Sequence, residues 1–317
     1  MSTPNTIPVI DLNDYLSDDK NKKQKFVDNV GAALKDVGFF ALTNHGLPQD
    51  LVSEAYSISE KFFKLDEATK RKYENLEIQG QRGYTSFGRE HAKDHDAPDL
   101  KEFWHVGQDL SDGHKLADVY PQNIWPKELP SFETTMKDIY QQLERCSLQI
   151  LEACSLYIGE DKSLFRDMAV DGNTILRLIH YPPIPEDANP ASVRAAAHED
   201  INLITLLIDA TTSGLEIMDR NGNWLPVVTP RGCIIVDSGD MLQNASNGFY
   251  KATTHRVVNP NDSRSRRFSM PFFVHARSEV PLNPIASCVA KTGGEKKYPD
   301  ITAGEYLHQR LKEIGLS

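Results

Sequence analysis

No apolar run in this sequence reaches the roughly 18–20 residues that a membrane-spanning helix needs. The N-terminal stretch MSTPNTIPVIDLNDYL also lacks the basic start and apolar core of a secretory signal, so neither membrane insertion nor export is expected. Cysteine is scarce: Cys146, Cys154, Cys233 and Cys288 are the only four, and no CxxC pair occurs among them. That argues against a zinc knuckle or a disulfide framework and for buried thiols in a reducing cytosol. Positive charge is in deficit, since 35 Lys and Arg against 45 Asp and Glu leave a net charge of −10. Such a surface repels phosphate backbones, which disfavours nucleic acids and anionic membranes as partners. Internal repeats and low-complexity segments are absent as well.

What is present is ordinary globular material, 39% hydrophobic and 25% charged, in a chain of 317 residues. That is enough for a sizeable core. The expectation is a cytoplasmic protein, monomeric or weakly homo-oligomeric.

IPVIDL at 7–12 reads as a short strand, and a helix is expected over about 22–37, with Phe26, Val30, Ala33, Leu34 and Val37 on one face. Gly38 ends it, and FFAL at 39–42 reads as a buried strand. A second helix is expected from about Pro48 to Leu65, where Leu51, Ala55, Ile58, Phe62 and Leu65 recur at helical spacing. Residues 66–130 are charged and loop-rich. A long helix spans about 131–158, with Phe132, Met136, Ile139, Leu143, Ile150 and Cys154 inward, Ser131 as N-cap and Gly159 as stop.

From about 174 the texture changes to short apolar runs separated by turns, with Asn221-Gly222 as a hairpin signal. Short strands at this spacing predict a sandwich or barrel. The fold class is α+β, in a single domain over 1–317. Within it, 1–130 is a helix/strand region, 131–165 a supporting helix, 170–280 the β-core and 281–317 a C-terminal segment.

The stretch AAAHEDINLITLL places His198 and Asp200 two positions apart, at the mouth of an apolar run. On an extended backbone such residues point the same way, which suits two ligands of one metal and equally a strand end facing water. A lone His-x-Asp is expected by chance about once in a chain of this composition. His255 opens the short run HRVV, and downstream, in SRSRRFSMPFF, Arg267 and Ser269 again stand at i and i+2. An arginine on a core-facing strand is costly unless an anion meets it. With a neighbouring hydroxyl it makes a good carboxylate site, though an internal Asp or Glu partner would satisfy it as well.

Several segments occur in an order that is highly specific: IPVIDL, GFFALTNHGL, RGYTSFG, DLKEFWHVG, LRLIHYPP, HEDINLITLL, GLEI, SGDMLQNASNG, HRVVNP and RFSMPFF. In this the chain resembles the Fe(II)- and 2-oxoglutarate-dependent oxygenases of the isopenicillin N synthase-like group. The resemblance implies a distorted double-stranded β-helix, or jelly-roll, with flanking N-terminal helices. It also implies iron held by His198, Asp200 and His255. Two imidazoles and one carboxylate on one face of an octahedral ion leave three positions open, unlike a closed zinc site.

By the same resemblance Arg267 and Ser269 bind the distal carboxylate of 2-oxoglutarate, and Tyr181 adds a phenolic hydrogen bond. Fe(II), 2-oxoglutarate and O2 are implied, with ascorbate as an optional reductant. The implied reaction oxidises a C–H bond of a small-molecule substrate by hydroxylation, desaturation or ring closure, with release of succinate and CO2. Asp200 occupies the place a halide would need, which disfavours halogenation. Glu199 and Ile179 depart from residues common among relatives, and Ile179 removes one polar contact to the co-substrate. Two rival readings are an iron oxidase of the same fold that dispenses with 2-oxoglutarate and a non-catalytic jelly-roll that binds a small acid.

Other positions carry weaker expectations. Arg177, Tyr84 and Trp104 are candidates for lining the substrate site. Arg177 would meet a substrate carboxylate or an acid of the fold. Trp104 and His105 would line the mouth or form a buried aromatic pair, and Tyr84 and Phe87 would sit on a lid. His45 reads as fixing a turn, Asp237 and Asp240 as structural, and His275 and His308 as peripheral.

Overall fold

Alternation of polar and apolar residues decides which face of each strand meets which layer, and so decides what surrounds the site. The structure, a computed structural model, describes residues 7–78, 80–90, 99–111, 113–189, 192–208 and 210–313. The chain opens with β1 (Val9–Asp11), α1 (Leu12–Leu16), α2 (Lys20–Asp36), β2 (Phe39–Thr43), α3 (Gln49–Phe63) and α4 (Glu67–Arg71). Strands β3 (Gly83–Thr85) and β4 (Glu102–Gly107) precede the long helix α5 (Phe132–Tyr157) and the short α6 (Ser163–Ala169). There follow β5 (Ile175–Tyr181), β6 (Ala195–His198), β7 (Ile204–Ile208), β8 (Leu215–Met218), β9 (Trp224–Pro226) and β10 (Ile234–Ser238). Helix α7 (Asp240–Ala245), β11 (His255–Val257), β12 (Arg267–Val274), α8 (Ala286–Lys291) and α9 (Ala303–Glu313) complete the order.

Two sheets result. The larger has the order β1-β2-β10-β7-β12-β5-β4-β3, and the smaller β6-β11-β8-β9. From β5 onward the chain passes back and forth between them: β5 large, β6 small, β7 large, β8 and β9 small, β10 large, β11 small, β12 large. This alternation is the double-stranded β-helix. The expected Asn221-Gly222 hairpin joins β8 to β9, with Met218 opposite Trp224. Its turn is closed by Asp219, which accepts from the backbone N–H groups of Asn221 and Asn223 at 2.8 Å each, and Gly222 takes φ +80°.

The helices cover one face of the large sheet. All six residues expected inward on α5 are buried. They pack with Phe26, Val30 and Leu34 of α2, with Ala55, Ile58 and Phe62 of α3, and with even-numbered strand residues such as Leu176, Leu206, Met270 and Phe272. Each such side chain contributes about 1.5–3 kcal/mol by leaving water. The buried face of α3 is Val52, Ala55, Ile58, Ser59, Phe62 and Phe63, while Leu51 and Leu65 are only partly buried. Pro48 caps α3 from outside the helix, and Ser131 caps α5 without a side-chain hydrogen bond.

The odd-numbered residues of β12, Arg267, Ser269, Pro271 and Phe273, line the space between the sheets. So do Arg177, Ile179 and Tyr181 of β5. Strands β3 and β4, in the segment 66–130 read only as charged and loop-rich, extend the large sheet beyond β5. The four cysteines are buried and free, and no helix among the described residues is long and apolar enough to cross a membrane.

Candidate active site

Strand pairing brings the two histidines together. His198 ends β6, His255 begins β11, and the two are register partners, which sets their ring centroids 4.4 Å apart. Each ring donates its Nδ1–H to the carbonyl two residues back, His198 to Ala196 at 2.7 Å and His255 to Thr253 at 3.1 Å. Those bonds fix the tautomer that leaves Nε2 with a free lone pair. Both Nε2 atoms stand 3.7 Å from Oδ1 of Asp200, a buried carboxylate. The three ligand atoms all lie within 4.8 Å of one another.

The rest of the environment suits a cation. Burial, followed by the proximity of His198, pulls the His255 pKa below its ordinary value, which favours the neutral imidazole a metal requires. Oδ2 of Asp200 accepts a hydrogen bond from Thr205 Oγ1, leaving Oδ1 for a ligand bond. Burial and the adjacent Asp200 push Asp237 well above the usual carboxylate range, so it stays protonated and adds no second charge. Two imidazole nitrogens and one carboxylate oxygen on one side are the donor set of a non-haem Fe(II) site with open positions.

Between the sheets a cavity of about 70 Å³ runs from these residues to Arg267 and Ser269. Arg267 is 2% exposed. Its Nη1 donates to Ser269 Oγ at 3.1 Å and its Nε to the Thr212 carbonyl at 3.2 Å, and the guanidinium carbon lies 5.1 Å from the Tyr181 ring centroid. Among the described residues it has no Asp or Glu carboxylate within ion-pair distance. Among the described residues, then, no internal acid explains it structurally, and the guanidinium is available to an anion. Ile179, Leu207, Val257 and Pro271 supply apolar walls.

A second cavity, of about 150 Å³, adjoins His198 and Asp200. Its wall holds a chain of buried charges: Asp99 to Lys101 at 2.8 Å, Lys101 to Glu90 at 3.2 Å, Glu90 to Arg177 at 3.0 Å. Burial alone would raise the Glu90 pKa, but Arg177 and Lys101 outweigh it and hold the carboxyl below its usual range. Arg177 also donates from Nε to His105 Nε2 at 2.6 Å, and its guanidinium lies 4.2 Å from the Phe103 ring centroid. Of the two partners open to Arg177, the acid of the fold is the one present. Leu307, Arg310 and Leu311 of α9 close another side.

Two models of known families match the chain: the N-terminal region of non-haem dioxygenases in morphine synthesis over residues 7–128, and the 2OG-Fe(II) oxygenase superfamily over residues 172–276. The 2-oxoglutarate-dependent dioxygenase citB of Monascus ruber is 31% identical over 88% of this chain and 87% of its own. A 2OG-Fe(II) oxygenase family protein of Caulobacter crescentus superposes with a TM-score of 0.87 at 38% identity, over 98% of this chain and 100% of its own. A full-length Neurospora crassa protein, solved in complex with alpha-KG and thymine, gives 0.85 at 30% identity, over 96% of each chain. The chain belongs to the 2OG-Fe(II) oxygenase superfamily.

It is accordingly an Fe(II)- and 2-oxoglutarate-dependent dioxygenase that oxidises a C–H bond of a small organic substrate with release of succinate and CO2. Within this oxygenase, two of the three expected substrate-lining residues stand elsewhere. Trp104 occupies an even position of β4 and points to the helices, 4.7 Å from the Phe62 ring centroid. Tyr84 pairs with Trp104 in register, so it shares that face, where its hydroxyl donates to Glu102 Oε2 at 2.5 Å. Both are fully buried, and neither belongs to a lid.

His105, one residue on from Trp104, does line the cavity, as do Asn173 and His275. His275 is not peripheral: it continues the odd-numbered face that runs from Arg267 through Phe273 into the site. Period-two counting from Arg267 would have found it. His45 does fix a turn, accepting from Leu47 N at 3.2 Å and donating from Nε2 to the Gly232 carbonyl at 2.8 Å. Asp240 pairs with Arg310 at 3.2 Å and so tethers α9. Glu199 accepts from Thr254 Oγ1.

Thr205→Val keeps the shape of its side chain but removes the bond to Oδ2 of Asp200, and iron affinity should fall by about 10–100-fold, as for other outer-shell partners. A competitive iron titration checks this; unchanged affinity would remove Thr205 from the role. Acid should act through His275. Burial lowers its pKa from 6.5 to about 4, so between those values the unfolded chain binds a proton that the folded one does not. Stability present above pH 6.5 should therefore be lost as pH falls toward 4, by roughly 3 kcal/mol at the acid end. Thermal unfolding across this range should show the slope in the native protein and a shallower one in His275→Leu.

Proposed function

We propose that His198, Asp200 and His255 are the iron ligands of this dioxygenase and that Arg267 and Ser269, with Tyr181 beside them, bind the distal carboxylate of 2-oxoglutarate. The observation that carries the assignment is the convergence of two Nε2 lone pairs on one carboxylate oxygen, 3.7 Å from each, with both Nδ1 atoms already committed to backbone. Bound iron supplies activation of O2, which couples decarboxylation of 2-oxoglutarate to oxidation of the substrate C–H bond.

The chain's own residues bind, orient and exclude water. Arg267 and Ser269 anchor one end of the co-substrate at the far end of the inner cavity, so its other end reaches the triad. Leu207, Val257 and Pro271 keep the channel dry, which strengthens each ionic contact within it. Thr205 holds one oxygen of Asp200 so that the other is presented. The cavity bounded by Arg177, His105, Asn173 and His275 receives the substrate. We read 1–317 as one catalytic unit in which 1–130 and 131–165 brace the core 170–280. That reading is supported by β2 pairing with β10 and by the burial of α5 against β7 and β12 residues.

Anaerobic addition of Fe(II) and 2-oxoglutarate to the protein tests the proposal. A weak visible charge-transfer band is expected, absent when succinate replaces 2-oxoglutarate. No band at saturating iron, or an equal one with succinate, contradicts it.

A further inference from the structure

We infer that Asn173 and His275 together read an amide edge, an N–H beside a C=O, on the substrate. The inference rests on the iron and co-substrate sites proposed above. It starts from what is already spent in the cavity. Glu90, Asp99, Lys101 and Arg177 neutralise one another, and Arg310 is held by Asp240. Both ring nitrogens of His105 are engaged, with the Gly80 carbonyl and Arg177, and Asn202 is tied to Ile204 and Thr205. An anionic substrate would have to break one of these buried pairs to be matched, which is strongly unfavourable. Glu199, half-buried on the same wall and engaged among the described residues only by Thr254 Oγ1, would also repel it.

Two groups on this wall keep open capacity with a fixed polarity. His275 donates Nδ1–H to its own strand at the Phe273 carbonyl, 3.1 Å away, so Nε2 is an acceptor, and it has no partner among the described residues. Burial keeps the ring neutral, so the acceptor persists at physiological pH. Asn173 is oriented by Arg82, whose Nη2 lies 3.4 Å from Oδ1. A guanidinium only donates, so the amide oxygen must face it, and Nδ2, the donor end, is left without a partner among the described residues.

Arg82 is itself fully buried and inaccessible to substrate. It lies flat on Gly107, where a Cβ would fall 1.8 Å from its Cζ, so the glycine is what lets the guanidinium reach Asn173. Drawing charge toward Oδ1 also makes Nδ2 a stronger donor. The two groups are neighbours: His275 N donates to Thr174 Oγ1 at 3.2 Å, and Gly172 packs on the His275 carbonyl. One acceptor and one donor, uncharged and on adjoining segments of one cavity wall, complement a lactam, ureide or imide edge. They do not complement a carboxylate or an ammonium group.

Calorimetric titration of the anaerobic Fe(II)·2-oxoglutarate protein tests this. The probes are 2-piperidone and hydantoin, with N-methyl-2-piperidone, cyclopentanecarboxylate and piperidine as comparisons. The N–H probes should bind at least about tenfold more tightly than the N-methyl, acidic and basic ones. In His275→Leu and in Asn173→Leu that ratio should collapse toward one, a change that a merely structural role would not produce. The inference is overturned if the carboxylate or amine binds as well as the lactam, if no N–H probe binds, or if the ratio survives in His275→Leu. The comparison within the native protein stands even if a variant fails to fold. Absence of 2-oxoglutarate binding in the same titration, before any probe is added, would instead overturn the site proposal beneath it.

Discussion

Asp200→Ala should abolish turnover and weaken iron binding by at least about 10³-fold, beyond the 10–100-fold typical of outer-shell partners. Asp200 is the only charged member of the triad, and both histidine Nε2 atoms lie 3.7 Å from its Oδ1. Without it, two neutral imidazoles are left to hold a dication that has lost its counter-charge. The alternative explanation for lost activity is unfolding, and the surroundings argue against it. The buried Asp237 beside Asp200 is already neutral, so removing the Asp200 carboxylate strands no opposite charge and loses only hydrogen bonds, that from Thr205 among them. The metal-free variant should thus melt close to the metal-free native protein. Only the native protein should gain stability when iron is added, by about 2.7 kcal/mol at a hundred times its dissociation constant. An Asp200→Ala protein that binds iron normally would break the assignment.

Arg267→Met should leave iron binding in place and weaken 2-oxoglutarate binding by about 10²–10³-fold or more, from the 3–5 kcal/mol that breaking a buried charge pair costs. The reasoning turns on what Arg267 lacks. It is almost fully buried, its hydrogen bonds go to a hydroxyl and a carbonyl, and no carboxylate of the described residues compensates it. In the co-substrate-free protein it is a cost. Replacing it with an apolar side chain of similar length should therefore raise the melting temperature of that form, while the stabilisation gained from added 2-oxoglutarate disappears. These opposite signs separate a ligand site from a structural arginine, whose loss would destabilise the protein under both conditions. Ser269→Ala removes one neutral hydrogen bond and should cost far less.

The architecture was legible where burial obeys a simple period. The helices of residues 20–63 and 132–157 declare themselves through an apolar face, and the strands after 174 through short apolar runs bounded by turns. His198, Asp200 and His255 emerged from order along the chain rather than from spacing, because 57 residues separate the histidines and only the β6–β11 pairing makes them neighbours. Strand β4 was not legible. Lys101 and Glu102 made DLKEFWHVG look solvated, yet both are buried, Lys101 against Glu90 and Asp99, Glu102 against Lys70 and His180. With the strand unread, the parity that sends Trp104 toward the helices and His105 into the cavity was hidden. Helix α9 is announced by the Thr302–Glu305 capping box, but its place at the site was hidden, since that depends on the tertiary pair between Arg310 and Asp240.

The cavity proposed to receive the substrate draws its wall from separate parts of the chain, Arg177 on β5, His275 just past β12 and Arg310 on α9. Selectivity should respond to changes there while the iron and 2-oxoglutarate contacts remain intact.

The most direct measurement is a crystal structure of the protein grown anaerobically with Fe(II) and 2-oxoglutarate, with anomalous scattering recorded across the iron edge. The account predicts one iron peak within bonding distance of His198 Nε2, His255 Nε2 and an oxygen of Asp200, and a co-substrate carboxylate clasped by Arg267. An iron peak elsewhere, no peak at all, or a 2-oxoglutarate molecule that leaves Arg267 without an anion would contradict it.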